Sequence, residues 1–101
     1  MNLWEDRPVI LLGSGGHAKV VLDLLLDMHF SVQGVTTFDP VVLRAASWRG
    51  IPVLGDDEAL AYYPPETYAL ANGIGSARIP TVRMQIYQRM KAKGYFFPPL
   101  I

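Results

Sequence analysis

The chain has 101 residues, half of them hydrophobic, which is room for one domain with a single core. Nine basic residues balance nine acidic ones, and no basic stripe or polybasic cluster argues for nucleic acid or an anionic membrane. The lack of cysteine excludes disulfides and thiolate metal sites, the charged start Met1–Arg7 is unlike a secretory leader, and no apolar run could cross a bilayer, so a cytoplasmic protein without a membrane span is expected.

Strand and helix signals alternate along the chain. Val9–Leu12 is a continuous apolar run, as expected of a parallel strand covered on both faces. It leads through Gly13-Ser14-Gly15-Gly16 into a helix expected over Gly16–His29, with Ala18, Val21, Leu22, Leu25 and Met28 on one face. Val20, Leu24 and Leu26 widen that stripe and predict a deeply packed helix, with His29 complementing the dipole at its end. Ser31–Thr36 reads as a second strand and Gly50–Leu54 as a short third one; Phe38–Arg49 between them is less regular, with a turn at Asp39-Pro40. Asp56–Tyr62 can form a helix capped by Asp56 and ended by Pro64-Pro65. Tyr68–Asn72 is the fourth expected strand, followed by a second glycine turn at Gly73-Ile74-Gly75-Ser76.

The last helix is expected over Ile79–Lys93, with Val82, Ile86, Tyr87 and Met90 buried and Gly94 at its C-terminal cap. The segment Tyr95–Ile101 is strongly apolar, so it either packs on this domain or leads into a second one, the latter being the expectation. Trp48, Tyr62, Tyr63 and Tyr68, together with Trp4, are expected mostly in the core. The order of elements predicts a small α/β, Rossmann-like three-layer domain with a mostly parallel sheet of four to five strands and right-handed crossovers.

The glycine turn carries the chemistry. A glycine-rich strand-to-helix turn leaves backbone N–H groups unshielded at the positive end of the helix dipole, a place for a phosphate or other anion. The spacing Gly13-x-Gly15-x-x-Ala18 fits a dinucleotide-type fingerprint, although such spacing also serves simple tight packing. If the first and fourth expected strands are neighbours across a topological switch point, the turns at Gly13–Gly16 and Gly73–Gly75 face one crevice. His17 at the helix start and Arg78 beyond the second turn are candidate ligand contacts; neither has the partners that catalysis would need. The acidic run Asp56-Asp57-Glu58 reads as a helix start rather than an acid/base pair, and two separated histidines offer no metal-ligand spacing. A nicotinamide cofactor would want a carboxylate at the end of the second strand, where Thr36-Thr37-Phe38 stand and Asp39 arrives late.

The run Gly13-Ser14-Gly15-Gly16-His17-Ala18-Lys19-Val20-Val21 resembles the opening of the NeuD/PglD-type bacterial sugar O-/N-acyltransferases. The resemblance continues through Gly34, Ile51-Pro52-Val53-Leu54-Gly55-Asp56, Asn72-Gly73-Ile74-Gly75-Ser76 with Arg78, and Gly94-Tyr95-Phe96-Phe97 with Leu100-Ile101. It implies that residues 1–101 form the Rossmann-like N-terminal domain, which holds the nucleotide part of a nucleotide-linked sugar. In that family a left-handed β-helix domain follows, binds acetyl-CoA, carries the catalytic histidine and forms homotrimers. No hexapeptide repeat is present here, so this chain is expected to bind substrate without a catalytic residue or cofactor of its own.

On the resemblance, the substrate-binding residues are Gly13, Ser14, Gly15, Gly16, His17, Thr37, Asp39, Gly73, Ile74, Gly75 and Arg78. Family members commonly carry one or two acidic residues after the glycine corresponding to Gly34. Here Thr37 and Phe38 occupy that place and only Asp39 remains, which points away from the usual uridine-sugar pose and leaves a different nucleotide or lost binding open. The competing expectations are an NAD(P)- or adenine-nucleotide-binding module and an assembly domain with a vestigial cleft.

Overall fold

The computed structural model describes residues 7–74 and 80–100. Trp4, Gly75, Ser76, Arg78 and the expected helix start at Ile79 lie outside the described residues, as does the side chain of Val82. The elements are β1 (Val9–Leu12), α1 (Gly16–Asp27), β2 (Val32–Thr36), α2 (Pro40–Leu43), β3 (Ser47–Trp48), β4 (Ile51–Gly55), a 3₁₀ helix (Asp57–Tyr62), β5 (Ala69–Asn72) and α3 (Pro80–Ala92). They build a five-stranded sheet in the order β3-β4-β2-β1-β5. All pairings are parallel except β3–β4, so the fold is the small, mostly parallel Rossmann-like α/β domain expected.

Strand β1 sits inside the sheet, flanked by β2 and β5, and its alternate side chains feed two separate cores. Val9 and Leu11 pack on one face with Ala18, Val21, Leu22 and Leu25 of α1. Ile10 and Leu12 pack on the other with Leu60, Ile86 and Met90. This is why the run Val9–Leu12 has no polar member: both faces of a central parallel strand are dry.

Helix α1 buries a narrower stripe than its sequence suggests. Ala18, Val21, Leu22 and Leu25 are buried, but Val20 is 56% exposed, Leu26 50%, and Met28 is also exposed. A helix lying on a sheet buries only the face turned toward it, and no described element covers the outer side of α1. The helix also stops earlier than expected, at Asp27. Phe30 N–H donates to Leu25 O at 3.0 Å and His29 N–H to Leu26 O at 3.1 Å, the paired bonds of a Schellman closure. His29 therefore lies past the helix in the left-handed region, at φ 63°, where it turns the chain so that Phe30 enters the core. Gly94 closes α3 in the same way at φ 97°, with Tyr95 N–H donating to Met90 O at 3.1 Å. One closure uses the residue that the conformation favours; the other is made by a histidine, which no composition rule would nominate.

The region after β2 is more ordered than expected. Asp39 caps the short α2 by accepting from Val41 N–H, and Arg49 and Gly50, both at positive φ, form the two-residue turn joining β3 to β4. Asp56 caps the following helix through Glu58 N–H, as expected, although that helix is of the tighter 3₁₀ type. Tyr62 at its end is 83% exposed, contrary to expectation, whereas Trp48, Tyr63 and Tyr68 are partly buried against the cores. Tyr87, expected in the core, is half-exposed and lies against Phe97 with ring centroids 4.8 Å apart.

The apolar C-terminal segment packs on this domain. Leu70 N–H donates to Phe96 O at 2.9 Å, which lays the segment along the outer edge of β5. The buried Tyr95 donates its hydroxyl toward Leu60 O at 3.0 Å and Tyr63 O at 2.6 Å, tying the segment to the 3₁₀ helix. Burial, and secondarily the carboxylate of Glu66, push the Tyr95 phenol above its ordinary value of 10.0. A neutral form favoured by folding stabilises the fold fully below about pH 10, and that contribution fades as the pH rises through the higher folded value. Tyr95→Phe should cost about 1–2 kcal/mol at neutral pH, because the carbonyls of Leu60 and Tyr63 lose the one O–H they share. The variant should also lose part of the alkaline fall in stability, measured as urea midpoints between neutral pH and pH values above the phenol's ordinary value.

Candidate functional site

The first glycine turn and the start of the second, Gly73-Ile74, meet at the carboxyl edge of the sheet. Strands β1 and β5 pair in register from Val9–Ala69 to Leu12–Asn72, so the chain leaves both strands at the same level. Gly73 N–H donates to Leu12 O at 2.8 Å, and a Cβ on Gly13 would lie 3.1 Å from Ile74 Cγ1 and 3.4 Å from the Gly73 backbone. The switch-point adjacency expected from the sequence is present.

A cleft of about 340 Å³ opens there, lined by Gly13, Ser14, Gly15, Thr37, Phe38 and Asp39, with Ile74 and Asp57 on its far side. Gly13 stands at φ 92° and its N–H continues the sheet by donating to Thr36 O at 2.7 Å. Ser14 and Thr37 share a hydroxyl hydrogen bond of 2.6 Å, which ties the glycine turn to the end of β2. Thr37 also accepts Asp39 N–H at 3.0 Å and donates its own N–H to Gly55 O at 2.9 Å. On the other side, Asn72 accepts Ile74 N–H at 3.1 Å and donates to Arg83 O at 3.2 Å, which holds the second turn against α3.

The electrostatics rest on backbone donors. Asp39 and Asp56 cap the other two helices whose N-termini are described, yet α1 starts at Gly15 with no side-chain cap and no acid in its first turn. Its N-terminal amide groups thus have no side-chain acceptor of their own, and the helix dipole is unanswered. Beside Gly15 and Gly16 an added Cβ would meet nothing within 4 Å, so the approach to those amides is open. The charged side chains among the described cleft residues are Asp39, held by Val41 N–H, and Asp57, paired with Arg89 of α3. Each carboxylate is thus partly answered by its own neighbour, and the donors left for a ligand anion are the amides of the turn.

Gly13, Ser14, Gly15, Thr37, Asp39 and Ile74 line this one cleft and Gly16 adjoins it as the first residue of α1, whereas Gly73 does not line it and packs instead against Leu11, Leu12 and Ala18. His17 faces a different place. It lines a larger cleft of about 560 Å³ at the outer edge of β5, with Val21, Asn72, Arg83, Tyr87 and Leu100. Its Nε2 is buried there with no hydrogen-bond partner among the described residues. Size does not decide between the clefts, since Gly13, the N-cap Gly15 of α1 and Ile74 of the second turn line the smaller one. Gly75 and Arg78 lie outside the described residues. Sequence reasoning missed Phe38 and Asp57 as cleft residues, and the Asp57–Arg89 pair joins residues too far apart in the chain to signal one another. Among the described residues no three His, Asp or Glu side chains converge as a metal site would need, and no helix is long and apolar enough to cross a membrane.

Comparison with known proteins supports the same assignment. No curated protein matches the chain, but the model of the PglD N-terminal domain matches residues 8–90. The acetyltransferase domain of PglB from Neisseria gonorrhoeae, solved with acetyl coenzyme A, is 27% identical, with a TM-score of 0.70 over 89% of this chain and 41% of that one. A mutant of perosamine N-acetyltransferase from Caulobacter crescentus, solved with CoA and GDP-perosamine, is 29% identical, with a TM-score of 0.72 over 87% of this chain and 39% of that one. PerB from the same organism, also with CoA and GDP-perosamine, is 30% identical, with a TM-score of 0.70 over the same shares. The chain thus spans about two fifths of the length of these solved relatives. With the family match covering most of its length and the glycine turns placed as that fold requires, the chain belongs to the PglD N-terminal domain family.

Proposed function

We propose that this domain holds the nucleotide part of a nucleotide-linked sugar for a bacterial sugar acetyltransferase of surface-glycan synthesis. The observation that carries the reading is the uncapped start of α1, set between two converging glycine turns in a chain that caps its other described helix starts with aspartate. The diphosphate would lie on the α1 amides, where the dipole and unshielded N–H groups favour negative charge. The nucleoside would extend over the end of β2 toward Thr37 and Asp39. The two Caulobacter relatives solved with GDP-perosamine support a nucleotide-sugar ligand, and all three relatives carry CoA or acetyl coenzyme A.

Acetyl transfer from acetyl-CoA would be the work of a β-helix domain in a cytoplasmic homotrimer. The contribution of this chain would be to bind and orient the sugar nucleotide; no catalytic residue is assigned to it. The nicotinamide reading is not favoured. Thr37 fills the place where a ribose-binding carboxylate would stand, and Asp39 already accepts Val41 N–H.

Calorimetric titration at low salt tests the proposal. GDP and GDP-sugars should bind saturably with one ligand per chain, while NADH should give no heat. The absence of binding by GDP-, UDP-, CMP- and dTDP-sugars alike would refute it.

A further inference from the structure

We infer that Phe38 is the stacking platform for the nucleobase, and that this chain selects a purine over a pyrimidine nucleotide by ring area. The inference rests on the nucleotide-binding reading above and adds the residue that sets base preference. Phe38 is 63% exposed and belongs to neither half of the core, yet it lines the cleft that contains Gly13 and Gly15. An aromatic ring so placed contributes little to folding, because it keeps most of its apolar surface in water.

Its backbone is held on both sides. Thr37 N–H donates to Gly55 O at 2.9 Å before it, and Asp39 N–H donates to Thr37 Oγ1 at 3.0 Å after it. Asp39 is fixed in turn by accepting Val41 N–H at 2.9 Å, and Thr37 is 4% exposed. The ring is therefore presented from an anchored turn, which lowers the ordering cost of binding a flat partner.

Its position suits a base. A nucleotide whose phosphates sit on the α1 amides reaches across the crevice toward the end of β2, and Phe38 is the second residue beyond that strand. Every nucleobase offers a π face, and a larger purine face covers more of the ring. Thr36 and Thr37 are buried, and Thr37 is engaged with Ser14, so they leave few edge contacts to read a pyrimidine.

The test compares the unmodified chain with Phe38→Ala, Phe38→Leu and Phe38→Trp, each titrated with GDP, UDP and inorganic pyrophosphate. GDP should bind the unmodified chain more tightly than UDP. Phe38→Ala and Phe38→Leu should each weaken GDP by about tenfold or more and bring GDP and UDP close together. Phe38→Trp should retain the preference, and pyrophosphate, which has no base, should bind all four chains alike. If the Ala and Leu variants bind GDP as the unmodified chain does, the platform is wrong and the nucleotide-binding reading stands. The platform is equally wrong if they change only self-association on a sizing column, since Phe38 would then be a protein contact. If the unmodified chain binds neither nucleotide, the platform falls, and the nucleotide-binding reading falls with it once CMP- and dTDP-sugars also fail to bind.

Discussion

Gly73→Ala should unfold this domain more readily than substitution at Gly13, Gly15 or Gly16, at a cost of about 3 kcal/mol or more. An added Cβ would stand 2.7 Å from the carbonyl oxygen of Leu12 and 2.9 Å from both Ala18 Cβ and Leu11 Cδ1. The first of these is backbone, and it is the same carbonyl that accepts Gly73 N–H. Relief therefore requires β5 to move away from β1 or α1 to lift from the sheet, and either breaks the core at its centre. In a domain of this size such a loss lowers the melting temperature by roughly 15 °C. Thermal unfolding followed by circular dichroism measures it, with Gly16→Ala as the control, because a Cβ there meets nothing within 4 Å. A Gly73→Ala chain melting within a few degrees of the unmodified one would show that the close packing at this turn is not a constraint.

Gly15→Asp should separate stability from binding. Gly15 is the N-cap of α1 with φ −85° and ψ −165°, a conformation aspartate adopts readily, and an added Cβ there meets no neighbour. An aspartate would accept from the first-turn amides and answer the dipole, stabilising the fold by about 0.5–1 kcal/mol. The same carboxylate would occupy the donors proposed for the diphosphate and repel its charge. At about 4 Å and an intermediate dielectric, repulsion between unit charges is about 4 kcal/mol, so GDP affinity should fall at least about a hundredfold. Gly15→Asn, which can cap without charge, should fall between. A Gly15→Asp chain that melts higher and binds GDP undiminished would place the anion elsewhere.

These two substitutions also mark how far the chain can be read without its structure. Gly13, Gly15, Gly16 and Gly73 look alike in the sequence, and the first glycine turn does join a strand to a helix as its composition predicts. Only the fold separates their roles. Gly73 is confined by β1 and α1, Gly13 is required by its positive φ, and Gly15 and Gly16 are open to an approaching ligand. The Asp56 cap and the Gly94 closure are legible because each acts within one turn of its own helix. The exposure of Val20 and Leu26 is not, because periodicity shows which residues are apolar and not how wide a face a neighbouring layer will cover. His17 sits next to the glycines in sequence, but the helical rotation between neighbouring residues turns it to the cleft beyond β5.

Hydrophobic period, turn chemistry and a run of specific residues were enough to establish the alternation of strands and helices, the dry central strand, the Asp56 cap, the Gly94 closure and the family. The order β3-β4-β2-β1-β5, the Ser14–Thr37 tie, the Asp57–Arg89 pair and the presentation of Phe38 at the cleft emerged only with tertiary packing. Each of these depends on segments far apart in the chain meeting at the sheet edge. Local propensities carry no information about such meetings; they follow from which strands pair and which faces the two cores can bury.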